Sequence, residues 1–245
     1  MMVAINRQYA REMNEKFGYF ATWLPNVRVK LGDVGVVREH VFEPVSSLEQ
    51  MGIAFVIDRD RQTADLDYTS SDAVSIETKV SGAVHDPAAT TASADGNISI
   101  SFSRADAVVF QALGCLTSKI ADVKSLGDQI LSLYHNEKWD PDHVVVTDLI
   151  TAAGATILIS NGQNAHIDLA LKGQAAPAMA KLADANANLT VTRAVGIGTR
   201  IVAAAGLTPL FKVAGVRRRF FRDDQFARRE ANDAQLVELS YKDFP

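Results

Sequence analysis

The chain has a single cysteine, Cys115, among its 245 residues. That excludes an intrachain disulfide and fits a reducing compartment. Cys115 follows Gly114 in an apolar run with nothing nearby to lower its pKa, so it reads as a buried, inert thiol. An excess of charge of either sign is also missing, with 25 basic against 29 acidic residues. A net charge of −4, with no zinc-finger or RNP-type signature, argues against nucleic acid as a partner. Long apolar runs are missing too. The best candidate span, residues 149–165, carries no formal charge but ends in Ser160-Asn161-Gly162-Gln163-Asn164, a strand and a turn rather than a bilayer helix. The first 20 residues lack a continuous apolar stretch and a small-residue cleavage site, so no secretory signal is expected there. No Ser/Gly tract, proline-rich run or acidic block marks a linker, which favours one large core.

Motifs with a mechanism are missing as well. His40, His85, His135, His143 and His166 show no His-x-x-x-His spacing and no Cys/His cluster, so no metal site is read. Gly196-Ile197-Gly198-Thr199 lacks the third glycine and the parallel βαβ setting of a dinucleotide site. Asp58, Asp60, Asp65 and Asp67 fail as a calcium loop, because Thr63 and Thr69 stand where glycine and glutamate are needed. They read as solvated loop acids. Gly32-Asp33-Val34-Gly35 reads as a turn and not as a phosphate loop. No nucleophile elbow occurs. The expectation is a protein that is not an enzyme, with no catalytic residue, cofactor or metal.

What the chain has is alternation. In residues 74–82, Val74, Ile76 and Val80 alternate with Ser75, Glu77 and Lys79. After a small-residue connection, Ile98, Ile100 and Phe102 alternate with Ser99, Ser101 and Ser103. The stretch 166–197 repeats the design: Ile167, Leu169 and Leu171 in one limb, Leu189, Val191 and Val195 in the other. Its long alanine-rich connection, 173–188, has a helix-forming run around 176–185. Period-two patterning of this kind predicts half-buried strands. Around these hairpins the sequence predicts helices over 5–17 (Ile5, Tyr9, Met13 and Phe17 on one face), 119–134 and 225–239. It also predicts strands within 20–31, 36–45 and 53–57, a hairpin of 144–150 with 156–160 about Ala152-Ala153-Gly154, and a last strand over 210–221 after a link at 201–206. The fold class is therefore α+β: a mostly antiparallel twisted sheet with an N-terminal helix, a mid-chain helix and two extendable amphipathic β-hairpins.

Alternation alone leaves two uses open. The apolar faces are sheet edges resting on the core of a soluble binding or assembly protein whose hairpins make protein–protein contacts. Or they are membrane strands, facing lipid with their apolar side, in a ring of many protomers, since four strands per chain cannot close a water-filled barrel. Basic residues near both ends, Arg7, Arg11 and Lys16, then Arg217, Arg218 and Arg219, are the candidates for lipid headgroups.

Two further stretches carry a family resemblance. Asp142-His143-Val144-Val145-Val146-Thr147-Asp148-Leu149-Ile150, followed by Ala155-Thr156-Ile157-Leu158-Ile159, is similar to the core strand pair of the gasdermins. Pro209-Leu210-Phe211-Lys212-Val213-Ala214-Gly215-Val216-Arg217-Arg218-Arg219-Phe220-Phe221 resembles the last strand of the pore-forming domain in their short bacterial members. The two hairpins and the N-terminal helix fall in matching order over most of residues 5–222. The resemblance implies a pore-forming domain over residues 1–222 and a C-terminal helical tail over 223–245 as a candidate inhibitory segment. Leu236, Leu239, Tyr241 and Phe244 of the tail would cover a protomer contact. It also implies an inactive cytoplasmic form and, after release by an activating protease, an acidic lipid membrane and a homo-oligomer ring as partners, with cell death or defence as the outcome. Bacterial members often carry an acylated cysteine near the N-terminus. This chain has none there.

Overall fold

The computed structural model describes residues 2–81, 95–171, 182–184, 189–218 and 234–244. Helix α1, Met2–Phe17, buries Tyr9 and Met13 completely, and Ile5 and Phe17 pack at the same core. Gly18, at φ 73°, ends it in the left-handed conformation that glycine adopts at least cost. The strands follow in chain order: β1 Phe20–Ala21, β2 Asp33–Arg38, β3 Val41–Ser47, β4 Ile57–Arg59, β5 Ala64–Thr69, β6 Val74–Ser81, β7 Asp95–Phe102 and β8 Val108–Ile120. Helix α2, Val123–His135, precedes β9 Val144–Ser160, β10 Ala165–Leu171, β11 Leu189–Val195, β12 Ile197–Arg218 and β13 Ala234–Leu239.

These strands form two antiparallel sheets. The larger has nine strands built on β12, β9 and β8, and the smaller has four in the order β11-β10-β7-β6. Alternation along β8 and β9 sorts the core. Val108, Phe110, Ile157 and Ile159 meet α1, whereas Val109 and Leu158 on the opposite face meet the smaller sheet. Helix α2 packs Leu126 and Ile130 on Val34, Val145 and Ala214. The α+β class with a mostly antiparallel sheet, an N-terminal helix, a mid-chain helix and two amphipathic hairpins is as the sequence predicts.

Several boundaries differ. The hairpin predicted about Ala152-Ala153-Gly154 is one unbroken strand, because β8 and β12 hydrogen-bond it on both sides through that stretch. Its small residues serve packing: Ala152 and Ala155 are fully buried in the core under α1. The link 201–206 and the last strand are likewise one strand, β12, which shifts register against β9 between Ile201 and Ala204, where Ala203 has φ 48°, and again between Leu207 and Leu210. The mid-chain helix starts at Val123, where Asp122 caps it by accepting from the Ser125 N–H at 2.9 Å. Lys119 and Ile120 end β8 instead. The predicted turn is centred one residue early, at Leu31-Gly32, where Gly32 has φ 80° and the Asp33 N–H donates to the Lys30 carbonyl, and β2 returns into β3 through Glu39-His40, both at positive φ. Gly35 lies inside β2, where a Cβ would collide with the Glu43 carbonyl. Asp65 and Asp67 are not loop acids. They lie in β5 and accept hydrogen bonds from Gly114 and Gln111 of β8.

The helix predicted over 225–239 is, across Ala234–Leu239, a strand paired with Val213–Arg218 of β12. The unpaired edge of β12 offers a row of backbone partners, and pairing there outweighs a weak helical preference. The boundary at 222/223 falls outside the described residues.

Candidate functional site

The two hairpins come together as one sheet. β6 pairs with β7, β7 with β10, and β10 with β11. In register, Ile76, Ile100 and Ile167 share one row, and Leu169 stands beside Ile98. One face is closed: Ile98, Ile100, Phe102, Ile167, Leu169 and Leu171 are at most 7% exposed. They pack on Ala107, Val109 and Leu158 of the larger sheet, with Val74, Leu189 and Val191 at the margin. Leu182, in the connection of the second hairpin, completes the cover. Its carbonyl accepts from Thr156 Oγ1 at 2.6 Å, and the Ala183 N–H donates to Gln111 Oε1 at 2.9 Å. The remainder of 173–188, including most of the predicted helical run, lies outside the described residues, as does the side chain of Val80.

The other face is polar. Glu77, Ser99, Asp168 and Arg193 form one row across all four strands. Ser99 Oγ donates to Asp168 Oδ1 at 2.7 Å, His166 Nε2 lies 2.8 Å from the same oxygen, and Ser101 Oγ lies 3.1 Å from His166 Nδ1. The Ser99 hydroxyl, ahead of His166, holds the Asp168 carboxyl below the usual carboxylate range. This Ser–His–Asp contact is a hydrogen-bonded ladder between neighbouring strands on an open sheet face.

Not every hairpin residue falls on the expected side. A bulge between Asp168 and Leu169 shifts the phase of β11, so Val195 stands opposite His166 on the polar side and is 50% exposed. Ile76 belongs to the apolar row but sits on edge strand β6 and is 44% exposed.

The basic residues lie in two places. Arg11 and Lys16 are exposed on α1, and Arg7 pairs with Glu39 at 3.4 Å. On β12, Arg217 pairs with Asp243 at 2.7 Å. The side chain of Arg218 and all of Arg219 lie outside the described residues. One turn of the tail, Tyr241–Asp243, touches both places. Tyr241 donates its hydroxyl to the Arg7 carbonyl at 3.3 Å and stacks on His40 with ring centroids 3.7 Å apart. Elsewhere the tail buries Leu239, sets Phe244 edge-on to Phe20, and places Leu236 against Gly127 of α2. Glu238 pairs with Lys212 at 2.8 Å. The sequence did not single out Glu12 and Ser70, which are buried under α1, nor Arg104, which reaches Glu12 from a partly exposed position. Only the presence of an acid within the inner half of an amphipathic helix hinted at this.

Strand pairing thus defines an α+β protein whose two amphipathic hairpins make a four-stranded sheet with one covered and one open face. Among solved structures, that of a bacterial gasdermin from Bradyrhizobium tropiciagri is similar at 14% identity over 94% of this chain and 89% of that one, with a TM-score of 0.36. No protein-family model matches the chain, and no curated protein does. The fold assignment rests on the strand pairing and not on that likeness.

Proposed function

We propose that this chain is a gasdermin-like pore-forming protein that oligomerises on acidic membranes and permeabilises them with its two hairpins. The observation that carries the reading is the four-stranded sheet itself. Its strands already alternate correctly, are already paired, and keep their apolar face covered. Burying Ile98, Ile100, Ile167 and Leu169 stabilises the closed form by on the order of 10 kcal/mol, so opening needs a comparable gain, which lipid supplies to the same face. The edges β6 and β11 must then find partners, because unpaired strand edges do not persist in hydrocarbon. A ring of copies provides them. The tail is the inhibitory segment in this reading. Its Glu238 and Asp243 hold Lys212 and Arg217, cations that near anionic lipid contribute about 1 kcal/mol each. The inactive form is cytoplasmic, and an activating protease acting between β12 and β13 moves the protein to the membrane, with cell death or defence as the consequence. The reading assigns no catalysis.

The phase of the strands gives the test. Ile76→Asp puts a charge on the lipid side of an edge strand at little cost to the closed form, because the residue is already half-exposed. On membrane strands such a charge costs on the order of 2 kcal/mol per protomer, so dye release from anionic vesicles is expected to fall at least tenfold. Val195→Asp, on the polar side, is expected to leave release within about twofold of the unsubstituted chain. Equal release from both variants would favour a soluble binding protein whose hairpins are contact arms.

A further inference from the structure

The larger sheet carries a row of alternating charge across four strands. Asp58 of β4 stands opposite Lys119 of β8, Lys119 opposite Asp148 of β9, and Asp148 opposite Lys212 of β12. Directly opposed residues of antiparallel strands share a face, so the four side chains lie on one side of the sheet in the order acid, base, acid, base. At one end Lys119 Nζ lies 3.5 Å from Asp58 Oδ2. At the other, Lys212 Nζ sits 5.1 Å from the centre of the Tyr19 ring and donates to Glu238 Oε1 of the tail at 2.8 Å. Opposite charges on neighbouring strands stabilise a sheet, and like charges oppose it. The tail strand therefore extends the row with the sign that fits. Without it the row ends in an acid at one edge and a base at the other.

The two edges also match in backbone. Among the described residues β4 pairs with β8 alone. The Ala121 N–H donates to the Val56 carbonyl and the Asp60 N–H to the Thr117 carbonyl, each at 2.9 Å. Such inward bonds alternate along an antiparallel pair, so Ile57 and Arg59 turn their N–H and C=O groups outward. Two apolar side chains stand in the same stretch, Val56 at 69% exposure and Ile57 at 41%. An open strand edge of this kind is a template for another strand. Its counterpart is the edge of β12 over Val213–Arg218, which β13 occupies. Direction agrees as well. β4 is antiparallel to β8, β8 to β9 and β9 to β12. A copy placed alongside in the same orientation thus offers β4 antiparallel to β12, as β13 is.

We propose that β13 fills the place where a second copy of this chain adds its β4 edge, with Asp58 of the incoming copy replacing Glu238 against Lys212. The inference rests on the pore-forming reading, and it names a contact between copies and the way the tail withholds it. Two different edges meet, so the contact is head-to-tail and repeats from copy to copy, as a ring requires. Charge complementarity selects the pairing: Asp58 meets a base on β12, while Arg59 falls on the opposite face and stays out of the row. In the assembly Lys212 faces Asp58 instead of lipid.

The test uses the full chain carrying Glu238→Gln, which loosens the tail without adding a charge, on vesicles containing anionic lipid. A zero-length carbodiimide joins a carboxylate to an amine only where the two touch. Within one chain β8 and β9 lie between Asp58 and Lys212, a separation of ~14 Å at the usual strand spacing. An Asp58–Lys212 link found by mass spectrometry therefore comes from two copies. That link is expected in the oligomers, whereas in the unsubstituted chain Lys212 is expected to link to Glu238. In the Glu238→Gln background, Asp58→Lys and Lys212→Glu are each expected to lower oligomer yield about tenfold, and the two together to restore it to within about threefold. Circular dichroism checks that the variants are folded, and half-exposed Asp58 carries the test with the link if Lys212→Glu is not. Oligomers and dye release with no Asp58–Lys212 link, and unchanged by Asp58→Lys, would overturn the contact and leave the pore. The link and the rescue without dye release would leave the contact and overturn the pore. A Glu238→Gln chain that stays monomeric on the vesicles overturns the inference outright.

Discussion

At the scale of single residues, Cys115 follows directly from its surroundings. Burial, with Asp65 and Asp67 adding to it, pushes its thiol up to about 11. Only the thiolate reacts, so at pH 8 the native chain is expected to react with a thiol reagent about a hundredfold more slowly than a free cysteine. Unfolding in denaturant should restore the ordinary rate, and fast native labelling would contradict the burial. The same shift has a sign in stability. Between the ordinary thiol value of 9.0 and about 11, the unfolded chain ionises first, so stability falls as pH rises through that window. An inert buried thiol was legible from the sequence, because its neighbours are apolar. The orientation of Val195 was not. It depends on a bulge set by pairing with β10, and alternation counted along one strand contains no trace of the partner.

At the scale of elements, the tail strand is the part whose hold has a pH dependence. Tyr241 stacks on His40, whose Nδ1 is buried without a partner among the described residues. Burial first, and Arg7 next, lower the His40 pKa, while Glu39 opposes them. A histidine with a lowered pKa takes its proton more readily when released. The contact is therefore intact above the ordinary value near 6.5 and weakens as pH falls through it toward the lowered one. Amide exchange over residues 234–244, corrected for intrinsic rate, is expected to be faster at pH 5.5 than at pH 7.5, and His40→Asn should remove that difference. A difference that survives His40→Asn would place the dependence elsewhere. Elements were legible where pattern and packing agree, as in α1 and the four hairpin limbs. They were misread where neighbours decide. β9 runs through Ala152-Ala153-Gly154 because two strands hold it, and Ala234–Leu239 is a strand because β12 has an edge to fill. The start of α2 had a local signal in Asp122, three residues before Ser125, that hydrophobic spacing alone does not weigh.

At the scale of the whole molecule, charge and topology point the same way. Residues 223–245 contain six acids and three bases, so they carry −3 of the chain's net −4. Without them the remaining 222 residues are close to neutral, and Lys212 and Arg217 have lost Glu238 and Asp243. Long-range repulsion from an anionic surface then largely disappears, while Arg7, Arg11, Lys16, Lys212 and Arg217 remain to attract it. Four paired strands with two free edges cannot close a barrel, so in the pore-forming proposal binding at the surface also raises the local concentration that ring assembly would need. Expression of residues 1–222 is accordingly expected to be toxic where Met1–Pro245 is not, and the shortened chain to form rings on anionic vesicles in electron micrographs. Raising salt from 0.15 M to 1 M shortens the Debye length from ~8 Å to ~3 Å and should slow its dye release at least severalfold. Equal toxicity of the two chains would keep the pore and remove the tail as its inhibitor. Equal harmlessness, with no rings from either, would leave the hairpins as contact arms of a protein that never enters lipid.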